Sequence, residues 1–463
     1  MSAIHQRWTR ISKRLVIAVA SLLAVTLLPT ESAVANIPPS FIFTGSGYGH
    51  GVGMSQIGAR GMALESATAT EILNHFYPGT EVAPVNDSEV IRINIGHRQQ
   101  DATITLRKLD AKSPEPPSIT VFNTRLTVDE VASESATVGT YLDDITLGLS
   151  SQSNSITLDR SSKLAKYSAL DPSRQWTLRW DSGTVVSVRT KERTYLIRYG
   201  QINIARVRNE VAPGQMEITA SMRLGDQYLY GLGEVPSSWP AASLQAQAIA
   251  ARTFALTKMR TIRSPCDCNI YSTTRDQNFV GYSKESEPTY GVRWKRAVDR
   301  TRGLAVLFEG RPIQAFYFSS SGGMTQNVKD VWGSEFSYLV NRPDTWSVSA
   351  AINPRYAAWT RSVDQERMAR AFELGDVIRY QVISRTVTGS ISSIRAFSSL
   401  GAERTLTGEV FRSRVGLPST WINLPQEVDE VPEEESVSST NPICLDLFGA
   451  LFGATGECEL IPE

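Results

Sequence analysis

Histidine and cysteine are scarce, four of each in 463 residues, and the scarcity bears first on metal chemistry. Cys266 and Cys268 supply at most half of a tetrahedral zinc site. His50, His75 and His97 are the only histidines beyond the N-terminal region, and none lies near that pair in sequence. A free or disulfide-bonded pair is therefore expected, with no metal and no other cofactor. With Cys444 and Cys458 the four cysteines allow three pairings, and sequence does not choose between them. Charge of one sign is also lacking: 47 basic residues face 47 acidic ones, which gives no footprint for nucleic acid. Long hydrophobic runs are absent too. The apolar run Leu15 to Leu28 has fourteen residues and Ile443 to Gly453 fewer, against the roughly 20 that a membrane-spanning helix needs.

The first of these runs reads better as an address. Arg7, Arg10, Lys13 and Arg14 precede it and Ala33-Val34-Ala35 follows, so residues 1–35 are expected to be a secretory signal cleaved near Ala35. That segment holds four basic residues and one acid, which leaves a secreted or cell-envelope chain near −3 in a compartment that permits disulfides. More than four hundred remaining residues can bury a substantial core, in two or three lobes.

The densest signal lies at residues 228–256. Gly231, Gly233, Pro236 and Pro240 make an irregular turn, and the Ala-rich run after Pro240 has high helix propensity. Glu234 is a lone carboxylate in that turn. Two roles stand open: it caps the helix, or, raised in pKa by burial near Val235 and Trp239, it serves as a general acid. Arg252 shares a helix face with Gln245, Ile249 and Leu256 and is either an ion-pair partner or a ligand for substrate carboxylates.

Elsewhere, glycine recurs at every second position from Gly45 to Gly53, as if one face of an extended segment were left bare for close approach. No three of these glycines have dinucleotide-binding spacing. Residues 83–200 alternate apolar and polar side chains at 90–95, 102–106, 176–180 and 195–199, which predicts an antiparallel β region. A small mixed lobe follows at 351–424, with strands near 377–388 and 391–398. An acidic, proline-containing linker with a tail comes after it, and Cys444 and Cys458 would close a hairpin there.

The stretch around Glu234 resembles the signature of the SpoIID/LytB family, approximately Tyr-Leu-x-Gly-Val-x-x-x-Glu-Met-Pro-x-x-Trp-Pro followed by Ala-Leu-x-Ala-Gln-Ala-x-Ala-Ala-Arg-Thr-Tyr-Ala. Val235 replaces Met, Phe254 replaces Tyr, and the loop before Glu234 is two residues shorter. Residues 45–63 resemble a second block, Gly-x-Gly-Trp-Gly-His-Gly-Val-Gly-Met-Ser-Gln, with Tyr48 for Trp. Residues 300–333 resemble a third, with Phe318 where many members have histidine. In the family the Gly-His-Gly block comes last, so this chain looks circularly permuted.

The resemblance implies an α+β fold, a SpoIID-type mixed core with a mainly antiparallel β lobe. The expected segments are 36–82, the permuted block; 83–200, the β lobe; 201–424, the core; and 425–463, the tail. It implies Glu234 as catalytic acid and His50, Gln56, Arg252, Gln277, Ser319 and Ser321 as substrate-binding candidates. The implied activity is lytic cleavage of peptidoglycan glycan strands to 1,6-anhydro-muramic acid ends. The alternative is a non-catalytic wall-binding protein that stimulates a cell-wall amidase. Permutation further requires residues 421–424 to end beside residues 41–43, with His50 and Gln56 reaching the Glu234 cleft.

Overall fold

The Ala-rich segment after Pro240 is the helix against which the other layers pack. In the computed structural model, which describes residues 37–125, 135–142, 145–149, 156–160, 163–165, 174–207 and 215–423, it runs Ala241–Lys258 with Pro240 at its N-cap. A surface helix buries one stripe, whereas this one is buried on opposite sides. Leu244, Ala248, Ala251 and Ala255 join one core, and Ala246, Ile249 and Ala250 join another. Alanine lets both approach closely at little loss of side-chain freedom.

The first core is mostly β structure. A seven-stranded sheet has the order Ile270–Tyr271, Val90–Gln99, Met216–Arg223, Gln201–Arg206, Arg174–Trp180, Ile119–Arg125, Ser135–Tyr141. A six-stranded sheet has the order Lys163–Ala165, Ile156–Arg160, Ile145–Leu149, Asp101–Lys108, Thr184–Arg189, Thr194–Ile197. Within these two sheets only Ile270–Tyr271 pairs in parallel. The alternation seen in sequence puts Ile91, Ile93, Ile104 and Leu178 inside. The β region also runs on past residue 200: Ile202, Ile204 and Ile218 share a core with Leu244 and Ala248 of the helix. The fold class is α+β, as the sequence implies.

The second core joins the other side of that helix to the Gly-His-Gly segment through Val52, Met54 and Ala59, and to helix Ala69–Phe76. A third core fills the C-terminal lobe, where strand Ser40–Gly45 lies between Trp359–Asp364 and Ile422–Asn423. Thr44 faces Asn423 and Gly45 faces Ile422 in antiparallel register. Residues 421–423 thus meet the start of the Gly-His-Gly segment, as the permuted order requires.

Beyond Gly45, which ends strand Ser40–Gly45, the glycines of that segment are not extended. Gly47, Gly49, Gly51 and Gly53 have φ of +80°, +113°, +83° and +79°, the left-handed region that side chains disfavour. Close approach does hold: a Cβ on Gly53 would stand 2.1 Å from the Phe316 carbonyl oxygen. Cys266 and Cys268 are bonded to each other in a buried disulfide, which takes both sulfurs out of the thiolate form that zinc binds. No helix among the described residues is long and apolar enough to cross a membrane. The expected signal, the tail and the Cys444–Cys458 hairpin lie outside the described residues.

Candidate active site

Glu234 does not cap the helix. The turn before Pro240 carries its side chain away, and Oε1 accepts hydrogen bonds from the Asn278 backbone N–H at 2.7 Å and the Tyr317 hydroxyl at 2.9 Å. Asn278 holds the turn twice more: its carbonyl accepts from Gly233 N at 2.8 Å, and its side-chain Nδ2 donates to Gly233 O at 2.8 Å. On the other side Lys284, itself buried, donates to the Val235 carbonyl at 2.8 Å. Oε2 has no hydrogen bond among the described residues, and the residue is partly exposed. Burial raises the Glu234 pKa above the ordinary carboxylate value, against the smaller opposing pull of the Asn278 and Tyr317 hydrogen bonds.

Behind the carboxyl stands a chain of buried groups. The Tyr228 hydroxyl donates to Gln277 Oε1 at 2.8 Å, and Gln277 Nε2 donates to the Tyr317 hydroxyl at 2.8 Å and to Ala251 O at 3.2 Å. With Gln277 Nε2 donating to it, the Tyr317 oxygen keeps its own proton for Glu234. Burial first, then the Glu234 charge, push the Tyr317 pKa well up, so it stays protonated.

This changes the part of several sequence-predicted residues. Gln277 is fully buried and supports Tyr317 rather than facing a sugar. Arg252, with no exposed surface, pairs with Asp87 at 2.7 Å and donates to Leu304 O at 3.1 Å, so its guanidinium does not reach a ligand. Gln56 is buried and donates from Nε2 to Gln247 Oε1 at 3.2 Å, a contact between helices. Ser321 is buried and donates to Asp344 at 2.7 Å within a cluster that includes Ser347 and Ser55. In each case a polar group placed inside takes an internal partner, because leaving it unpaired would cost about 1–3 kcal/mol.

Ser319 is partly exposed, and its hydroxyl has no hydrogen bond among the described residues, while its carbonyl accepts from Ile57 N at 2.9 Å. His50 lies with its ring centroid 5.6 Å from Phe318 and 5.0 Å from Trp332. Its Nδ1 accepts from Val52 N at 3.1 Å, which puts the neutral ring's proton on Nε2. Burial, and then the Arg412 charge, lower its pKa to about 4, against a hydrogen bond with the Tyr317 backbone. His50 is joined to Glu234 through Tyr317 rather than by direct contact. The Tyr317 backbone meets His50 and its hydroxyl meets Glu234, while the parallel pairing of Met54–Ser55 with Tyr317–Phe318 holds the two chain segments side by side.

Tyr317 and Asn278 were not singled out from sequence. Tyr317 lies inside the third family block, where it reads as one aromatic of three. Asn278 meets Glu234 itself through its backbone N–H, which has no side-chain signal. A cavity of about 460 Å³ lined by Thr257, Arg260, Phe308 and Tyr338 includes none of the residues that hold Glu234.

Comparison with known proteins fits this geometry. The SpoIID family model, described as Stage II sporulation protein, matches residues 213–308, which contain Glu234, Gln277 and Asn278. This match and those that follow support a SpoIID/LytB family assignment. An amidase enhancer of Bacillus subtilis (strain 168) is 37% identical over 112 residues, 24% of this chain and 14% of that protein. Stage II sporulation protein D of the same strain is 26% identical over 209 residues, 42% of this chain and 58% of the relative. The Bacillus amyloliquefaciens protein of that name is 27% identical over 207 residues, again 42% and 58%. The chain thus spans less than two thirds of each of these SpoIID/LytB relatives.

Proposed function

We propose that this protein acts on the cell wall as an exported lytic transglycosylase. Glu234 carries the reading: one carboxyl oxygen is fixed by two donors, the other has no hydrogen bond among the described residues, and burial favours the protonated form. With Oε1 accepting twice, the proton belongs on Oε2, the oxygen left to meet a ligand. Glu234 then protonates the glycosidic oxygen that follows muramic acid as the C1–O bond breaks. The resulting carboxylate takes the proton from the 6-hydroxyl as that oxygen bonds to C1. The product is a 1,6-anhydro end, no water is consumed, and Glu234 returns to its protonated state. One acid/base group suffices, although most glycosidases use two.

Ser319 and the His50–Trp332 aromatic surface are the groups placed to hold glycan. Export follows from cleavage near Ala35. The similarity to an amidase enhancer favours a second reading, a wall-binding protein that stimulates a separate amidase without cleaving glycan itself. Purified peptidoglycan strands incubated with the pure protein, with and without an amidase, separate the two. Anhydro ends formed without amidase are expected; faster amidase turnover with no anhydro ends would establish the second reading instead.

A further inference from the structure

The β region carries no recognised motif, yet it delivers one side chain to the Glu234 clamp. Arg193 stands in the turn between strands Thr184–Arg189 and Thr194–Ile197. The turn is closed on itself: Thr190 N donates to Arg193 O at 2.9 Å, and Arg193 N donates to Thr190 Oγ1 at 3.2 Å. The guanidinium lies 5.5 Å from the centre of the Tyr195 ring, which is anchored in turn to Ser272 at 2.8 Å. Its Nη1 donates to Asn278 Oδ1 at 3.1 Å, on the residue whose backbone N–H holds Glu234. Nε and Nη2 make no hydrogen bond and no carboxylate pairs with Arg193 among the described residues, although it is only partly exposed.

A half-buried guanidinium fixed by its turn and an aromatic face, with two donors unused, is preorganised for an anion. Two more arginines without carboxylate partners among the described residues meet Trp239, in the loop between Glu234 and Pro240. Arg60 lies 5.7 Å from the Trp239 ring centre, and Arg293 donates to Trp239 O at 3.1 Å. Three separate chain segments therefore bring uncompensated positive charge to the loop that carries a single carboxyl group.

We propose that Arg193 is a specificity-determining residue that receives a carboxylate of the glycan ligand beside Glu234. The inference rests on the reading of glycan as ligand. Two parts of a strand can present that group, the lactyl carboxylate of peptide-free muramic acid and the carboxylates of a stem peptide.

The test measures equilibrium binding in the Glu234→Gln background, so that it does not depend on turnover. Peptide-free and peptide-bearing strands are compared, each with its carboxylates intact or methylamidated. Methylamidation is expected to weaken binding of one strand type by about tenfold, the size of one charge-assisted hydrogen bond, and that strand type identifies the source. Adding Arg193→Gln should bring the ratio near one, and Arg193→Lys should restore part of it, as a point charge without the fork. An unchanged ratio in Arg193→Gln, equal weakening of intact and amidated strands, or no carboxylate dependence in the parent would overturn the inference while leaving the glycan reading intact. Failure to bind any strand would refute both.

Discussion

Replacing Tyr317 by Phe removes one hydroxyl and little else, so its effect on Glu234 follows from a short list of contacts. The hydroxyl donates to Glu234 Oε1 at 2.9 Å and accepts from Gln277 Nε2 at 2.8 Å. Gln277 Nε2 keeps Ala251 O at 3.2 Å, but its second N–H loses the Tyr317 oxygen, so the loss of stability should be about 1–3 kcal/mol. A hydrogen bond to a charged group contributes about 1.5–3 kcal/mol and one to a neutral group about 0.5–1.5 kcal/mol. The difference, about 1–1.5 kcal/mol, favours the ionised form of Glu234 in the wild type and vanishes in the variant. At 1.36 kcal/mol per pH unit, the Glu234 pKa should rise by about one unit. Carbon-detected NMR of labelled glutamate carboxyls, titrated in wild type, Tyr317→Phe and Glu234→Gln, assigns the resonance and measures the shift. An unchanged or lower pKa in Tyr317→Phe would show that this hydroxyl does not stabilise the carboxylate, and the clamp argument would fail.

Glu234→Gln should alter stability with a definite sign. The native state holds the Glu234 proton more tightly than the unfolded chain, so the stability this group confers is full below its ordinary pKa of 4.5 and is lost as pH rises through the raised value. Gln keeps an acceptor for Asn278 and Tyr317 and does not ionise, so urea melts should show the variant gaining on wild type from pH 4 to pH 7; a constant gap would contradict this. Arg252→Ala strands Asp87 beside a buried space and should cost about 3–5 kcal/mol in denaturant unfolding. A stable variant with only weakened glycan binding would restore Arg252 to the ligand set. Gly53→Ala, whose Cβ would meet Phe316 O at 2.1 Å, should fail to fold or lose more than about 3 kcal/mol. Gly79→Ala, at φ +73° with no atom within 4 Å of its Cβ, should lose only about 1 kcal/mol; equal losses in thermal melts would mean that close packing is not what the Gly-His-Gly glycines serve.

Sequence carried the α+β class, the strands and the approach of residues 421–424 to the strand that holds 41–43, where the pairing itself falls at 44–45, because period and motif order survive in the chain itself. Glu234 was legible as a candidate because its motif is dense and local. The direction in which the other polar candidates point was not. Gln56, Gln277, Arg252 and Ser321 turn inward because Gln247, Tyr228, Asp87 and Asp344 meet them there, and two of those four partners lie more than 150 positions away. The alternate glycines told of close approach but not of the left-handed backbone, which depends on how residues 316–321 and Trp421 crowd the segment. Asn278 was hidden for a simpler reason, since a backbone N–H belongs to nearly every residue type.

The most direct measurement of the central claim is mass spectrometry of purified glycan strands after incubation with wild-type protein and with Glu234→Gln. Wild type should yield fragments ending in 1,6-anhydro-muramic acid, each lighter by one water than a reducing end. Glu234→Gln should yield none while binding the strands and folding as the wild type does. Anhydro fragments at wild-type rate from Glu234→Gln, or intact strands after incubation with wild type, would contradict the assignment of Glu234 as the acid.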